Sequence, residues 1–277
     1  MALKGNLCWN GDFETGTFEG WSDQFKGLPS PNLAVMDGEG IDGSYGLWIT
    51  PSQTNEYEGF CYDMVFPFEE RELYFVEVQA KNMGASIRGQ IEYLDAYKRV
   101  LGYDEFGVAL TGGWERMCAL VARRFGASYF RVGFVFFASG DYVAKLDNLS
   151  VIGLTHSRDW VWSDYHSFSI SGETYDDWYC NVAIFVKHSY SWIIDVRNIT
   201  GSSPSVVLVL KQLIPRDRNV SSVFDYDIKT SETFTSTGQT AYAGSVSHHG
   251  YYKIRCQTSG SDTEVDVNTC LTLIPFI

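Results

Sequence analysis

The chain has 277 residues, 45% hydrophobic and 20% charged, with a net charge of −13 at pH 7. That length holds one large or two ordinary domains. The charge excludes nucleic-acid backbones as partners and argues against insertion into, or adhesion to, an anionic membrane, since both are bound through Lys and Arg.

Aromatic residues make up 16% of the chain. Phe, Tyr and Trp suit pleated, half-buried surfaces, so an all-β fold is expected. Short apolar-alternating runs recur between turn signals, and helical periodicity is nearly absent. In the first half the pattern predicts strands over 6–13, 32–37, 44–50, 58–67, 72–81, 86–94, 107–110, 114–122, 128–137 and 142–152. Their order suits an antiparallel two-sheet sandwich. Alternation breaks over 155–166, a polar–aromatic stretch read as an ordered linker with Trp160 and Trp162 wedged between domains. In the second half strands are predicted over 167–172, 178–187, 190–199, 204–213, 223–228, 240–246, 250–258 and 264–275. Pro204 stands at the start of one of them, where a missing donor does little harm. The expected architecture is two tandem antiparallel β-sandwiches, 1–154 and 167–277.

Alternation also assigns faces. Tyr74, Val76 and Val78 point inward, which leaves Phe75, Glu77 and Gln79 outside; Ile87, Ile91 and Tyr93 point inward, which leaves Arg88, Gln90 and Glu92 outside. Tyr45, Leu47 and Ile49 are core, which exposes Trp48; Phe130, Val132, Phe134 and Phe136 are core, with Arg131 and Phe137 opposite. Trp48, Glu77, Gln79, Arg88, Gln90, Glu92 and Arg131 are thus expected to form one polar face. Such a face serves a ligand, a subunit contact or solvent.

The opening Asn10-Gly-Asp-Phe-Glu14, followed by Gly20-Trp21, resembles the first strand of jelly-roll carbohydrate-binding modules. Gly40 to Leu47, Leu73 to Lys81, Gly113-Trp114 and Leu146 to Val151 follow in the order of that family's later strands. The resemblance covers roughly residues 6–153. It implies a jelly roll with Trp21 and Trp114 in its core and a glycan, such as one on a host surface, as ligand for the polar face. It also implies a structural calcium between first and last strands, held by Asp12, Glu14 and Asp147 with oxygens from the Gly38–Asp42 loop. The alternative is that Glu14 and Asp147 only hydrogen-bond turn amides.

Asp195 to Val209, with Asn198-Ile-Thr-Gly201 and Pro204, then Gly238, Tyr251 to Arg255 and the last strand, resembles small β-sandwich domains of virion proteins of tailed phages and archaeal viruses. That resemblance implies a subunit of a capsid or tail, working as a homo-oligomer in a virion or other extracellular assembly. A free-standing carbohydrate-binding protein or a cell-surface filament subunit is the competing reading. The opening residues lack a secretory apolar run, so synthesis in the cytosol is expected. No zinc, serine-hydrolase or phosphate-loop motif occurs, so a non-enzyme is expected. Six Cys in apolar contexts read as buried thiols, with a Cys256–Cys270 bridge as the alternative. The three Asn-x-Ser/Thr matches are close to chance for a Ser/Thr-rich chain.

Overall fold

The computed structural model describes residues 6–68, 73–109, 112–154, 161–184, 187–215, 223–246 and 250–275. It is nearly all β: among the described residues the helical content is a single short 3-10 turn, Ile41–Gly43. The chain divides into two compact units, Met1–Thr155 with Asn181–Ala183, and His156–Cys180 with Ile184–Ile277.

The first unit is a two-sheet antiparallel sandwich. Its front sheet runs in the order β1 (Trp21–Ser22), β4 (Tyr57–Tyr62), β10 (Tyr129–Phe137), β7 (Ser86–Leu94), β8 (Val100–Ala109), and β5 (Phe66–Pro67) also pairs with β10. Its back sheet includes β9 (Trp114–Ala122), β6 (Leu73–Met83), β11 (Val143–Leu154), β3 (Gly46–Thr50) and β2 (Asn32–Met36), again in spatial order. Between them Leu47, Ile49, Phe60, Val76, Val78, Ile87, Ile91, Phe130, Phe134 and Leu146 are fully buried. Trp21 belongs to this core, stacked on Phe13 at 4.9 Å and packed against Phe60 and Phe134. Trp114 and Tyr45 are only half-buried, which corrects their reading as core.

Segment 6–13 is not a strand, contrary to expectation. Leu7 N–H donates to Val151 and Leu149 N–H to the Gly11 carbonyl, but Asn10 and Phe13 take left-handed φ values of 54° and 55°. The Asn10 amide replaces a partner strand by donating to the carbonyls of Thr17 and Glu19. The stretch read as one strand over 58–67 is two, broken at the exposed Asp63 and Met64.

The second unit comprises β12 (Trp162–Ser171), β13 (Tyr175–Ile184), β14 (His188–Pro215), β15 (Val223–Thr230), β16 (Gly238–Val246) and β17 (Gly250–Pro275). β14 and β17 pair from His188↔Pro275 to Leu213↔Tyr251, so each replaces two predicted strands. The expected breaks are bulged corners instead, between Val196 and Ser205, where Gly201 and Gly260 take φ of 127° and 105°. A Cβ on either would stand under 3 Å from a carbonyl oxygen of the opposite strand. At these corners the pair doubles back: His188 hydrogen-bonds Tyr252, whose strand partner is Gln212 at the other end of β14. One bent strand pair thus serves both layers of a sandwich, with β16 and β12 flanking one half and β15 the other. Trp192, Ile194, Leu208, Leu210, Tyr252, Ile254, Leu271 and Leu273 fill the interior.

β12 begins at Trp162, inside the stretch read as a linker, and Trp162 is buried; Trp160 lies outside the described residues. All six Cys are thiols, so the Cys256–Cys270 bridge is not formed. Cys256 lies opposite Leu208 and Cys270 opposite Ile193, at separate places along β14.

Candidate functional site

The outer face of the front sheet follows from parity. Phe130, Val132, Phe134 and Phe136 of β10 are fully buried in the core, so Arg131, Gly133, Val135 and Phe137 face out. Register brings their neighbours onto that face: Glu92, Gln90, Arg88 and Ser86 from β7, Cys61, Gly59 and Tyr57 from β4, and, through β7, Tyr103 and Glu105 from β8. Arg88, Gln90, Glu92 and Arg131 therefore share one surface, as the sequence suggested.

These side chains are not an open polar plain. Glu92 and Glu105 are 1% and 5% exposed. Arg131 donates from Nε and Nη2 to Glu92 Oε2 at 2.8 and 2.5 Å. Arg88 Nη1 lies 3.7 Å from Glu105 Oε1, while Glu105 Oε2 is buried with no hydrogen-bond partner among the described residues. Burial pushes the Glu105 carboxyl up to about 7, against the pull of Arg88 and Lys26. At one end of the face Tyr57 and Phe137 pair with ring centroids 4.9 Å apart, and Tyr57 is 40% exposed. An aromatic platform beside paired donors and acceptors can hold a polar ring by stacking and directional hydrogen bonds.

Phe137 faces out beside Arg131 as its parity predicted, whereas Tyr57, Tyr103 and Glu105 were absent from the residues the sequence assigned to this surface. β8 had been expected over 107–110 and in fact covers 100–109. The alternating Tyr103 and Glu105 carried the signal that could have extended it.

Trp48, Glu77 and Gln79 lie on the back sheet, which corrects the single seven-residue face. Alternation separates inside from outside but does not say which sheet a strand joins. Trp48 is half-buried beneath the Lys145 amine, 4.9 Å from its ring centroid, and Lys145 pairs with Glu39. Glu77 accepts from Arg116 at 2.6 Å, and Gln79 lies opposite Arg116 and Asp147.

Asp147 is 1% exposed, and its carboxyl accepts N–H bonds from Ile41 at 2.9 Å and Asn148 at 2.6 Å. Glu14 accepts the Tyr45 N–H at 3.1 Å, and Asp12 faces the Glu14 N–H. The 38–42 loop thus offers Asp147 an amide. Burial raises the Asp147 carboxyl to about 6, the two amides oppose that, and Glu14 and Asp12 add to it. Among the described residues no three His, Cys, Asp or Glu are placed to hold a metal ion. In the second unit Asp177, one of an adjacent acidic pair, is engaged by Arg255 through two bonds of 2.7 Å.

No family model matches the chain. Over 76 residues it is 37% identical to endo-1,4-beta-xylanase A of Thermoanaerobacterium saccharolyticum, covering 27% of this chain and 6% of that enzyme. Among solved structures it is similar to the CBM22-1–CBM22-2 tandem of Paenibacillus barcinonensis Xyn10C, with a TM-score of 0.39, 11% identity and 96% of both chains covered. It is also similar to tailspike protein 4 of bacteriophage CBA120, with a TM-score of 0.44 and 12% identity over 54% of this chain and 22% of that one. Carbohydrate-binding modules recur among these neighbours. No helix among the described residues is long and apolar enough to cross a membrane.

Proposed function

We propose that the protein binds a polysaccharide without cleaving it, on the outer face of the front sheet. The observation that carries the reading is the row of Arg88, Gln90, Glu92, Glu105 and Arg131 running beside the Tyr57–Phe137 platform. Sugars offer an apolar ring face and a rim of hydroxyls, and this surface answers both. The local identity to an endo-1,4-β-xylanase makes β-1,4-xylan the first polymer to try. Affinity electrophoresis against a panel of soluble polysaccharides is the test. Tyr57→Ala is expected to weaken binding by about five- to tenfold, a stacking loss on the order of 1–1.5 kcal/mol. Trp48→Ala, on the other sheet, should leave it unchanged. The opposite result would move the site to the back sheet.

Two further expectations belong to this reading. The calcium that the sequence resemblance implies at Asp147, Glu14 and Asp12 does not fit the carboxylates as they stand, since their oxygens accept the backbone amides of Ile41, Asn148, Tyr45 and Glu14 and no metal cluster forms among the described residues; a cation would have to draw them off those amides. Millimolar calcium should then raise the melting temperature of the wild type and not of Asp147→Asn; equal shifts, or none, would leave these carboxylates to the turn amides they bond. The setting proposed is a virion or other extracellular assembly built from copies of this chain, on the sequence resemblance of the second unit. Electron microscopy of the purified protein would show ordered homo-oligomers, and a monodisperse monomer would favour the free-standing binder.

A further inference from the structure

The segment between Ser22 of β1 and Asn32 of β2 does not skirt the proposed site but crosses it. Phe25 is 1% exposed, in an apolar cluster with Cys61 and Val135, and Leu28 and Tyr103 pack against it. The position beneath it lacks side chains on two adjacent strands. A Cβ on Gly133 would stand 2.2 Å from the Phe25 ring, and one on Gly59 would stand 3.1 Å from the Phe25 carbonyl oxygen. The floor is therefore a slot cut to the thickness of one flat ring. Its walls are polar and aromatic: the Arg131 guanidinium lies 5.8 Å from the Phe25 ring centroid, and Tyr103 stands edge-on at 6.0 Å. Lys26 completes the closure, with Nζ donating to Gln90 Oε1 at 2.9 Å and lying 4.2 Å from the Tyr103 ring centroid.

The Phe25 ring itself packs on Cys61 and Val135, but the surface bordering it carries Arg131, Gln90 and two carboxylates nearly sealed from water, Glu92 and Glu105, and burying such groups is costly unless they are fully paired. The turn itself is small: Phe25 and Leu28 close it through one 3.0 Å backbone bond, with Lys26 and Gly27 in left-handed conformations at φ 59° and 68°, while its ends are tied to β4 by the Gly59 N–H donating to the Pro29 carbonyl at 2.8 Å and Cys61 Sγ donating to the Gln24 carbonyl at 3.3 Å. Lys26 holds its φ without the licence glycine has, so its left-handed backbone is strained. Nothing lies within 4 Å of where a Gly27 side chain would begin, so the backbone at the tip is open on that side and Lys26 is what holds it down. Beside the two arms an open cavity of about 600 Å³ is lined by Phe18, Trp21, Asp23, Pro31, Asn32 and Asp63, leaving room for the arms to swing.

We propose that Phe25–Leu28 is a built-in occupant of the polysaccharide site: the Phe25 ring fills a ring-sized subsite that a sugar of the bound chain takes when the segment lifts. This rests on the reading of the front sheet as a polysaccharide surface. A pyranose chair has a similar six-membered outline with apolar C–H faces, and its hydroxyls would reach Arg131, Glu92, Gln90 and the Glu105 oxygen that lacks a partner among the described residues. The segment then sets the affinity, because only the fraction of molecules with it lifted is competent to bind.

The experiment uses the full chain with xylohexaose and, in parallel, a mixed-linkage glucan as probes. Calorimetry compares wild type, Phe25→Ala and Gly27→Pro, the latter because proline cannot take the positive φ that closes the turn. Both variants are expected to bind at least fivefold more tightly. Hydrogen exchange on the wild type supplies a readout free of mutation: saturating probe should speed exchange at 25–28 and slow it on β7 and β10. Unchanged affinity in the variants, or slower exchange at 25–28 with probe bound, would make the segment a fixed part of the core and leave the polysaccharide reading standing. Failure of all three proteins to bind either probe, or any member of the panel, would defeat that reading and this inference with it.

Discussion

Glu105 shows how a single side chain can hold this surface short of its greatest stability. Its carboxyl is almost wholly buried, and that burial raises it from an ordinary 4.5 to about 7 while Arg88 and Lys26 pull the other way. The folded state therefore holds the proton more tightly than the unfolded chain does. That preference stabilises the fold fully below about pH 4.5 and is lost as pH rises through 7. The gap corresponds to roughly 3 kcal/mol as an upper bound. Glu105→Gln keeps the shape and an acceptor for Arg88 but cannot ionise. Urea unfolding should find the variant more stable than wild type by up to about 3 kcal/mol near pH 8, with the difference vanishing below about pH 4. A constant difference at both values would mean that Glu105 is not titrating in a buried site. Residues that keep such a penalty in natural proteins are commonly there for function, because a carboxylate that waits for a hydroxyl is worth more to binding than to folding.

At the scale of elements, alternation carried the strands well wherever one face is core and the other solvent. β6, β7, β9 and β10 stand close to their predicted limits, and Val76, Val78, Ile87, Ile91 and Phe134 are buried as their parity requires. It failed in three physically distinct ways. Over 6–13 the period was right but Asn10 used its own amide to satisfy the backbone, so no partner strand was needed. In β14 and β17 the glycines at 201 and 260 looked like turns, yet the hydrogen-bond ladder continues through bulges at that corner. The candidate face suffered from a limit of another kind. Period-two burial is a statement about one strand, whereas the grouping of Trp48, Glu77 and Gln79 with Arg88 and Arg131 required knowing which sheet each strand joins. Pairing is a long-range property, written in register and not in local pattern. The Phe25 segment was illegible for a related reason: a short loop with one Phe and two Pro reads as a connection, and only Gly59 and Gly133, both far away in sequence, reveal that a place was cleared for it.

For the whole molecule, the decisive quantity is the contrast between its net charge of −13 and the near-balance of the proposed site. Arg88, Arg131 and Lys26 face Glu92 and Glu105 there, so the surface itself is close to neutral within an acidic body. A polyanion would meet a repulsive field on approach and only a few cations on arrival. A neutral polysaccharide meets neither penalty. Its binding would rest on ring stacking and on hydrogen bonds inside a partly buried row, both of which salt screens weakly. Raising sodium chloride from about 50 to about 500 mM shortens the Debye length from roughly 14 to roughly 4 Å. Affinity for a neutral xylan or glucan is expected to change by less than about twofold over that range, while heparin and polygalacturonate should show no retention at the low-salt end. Strong low-salt retention of either polyanion, released by salt, would place the ligand site on a basic patch elsewhere, because the front sheet could not generate it against the charge of the rest of the chain.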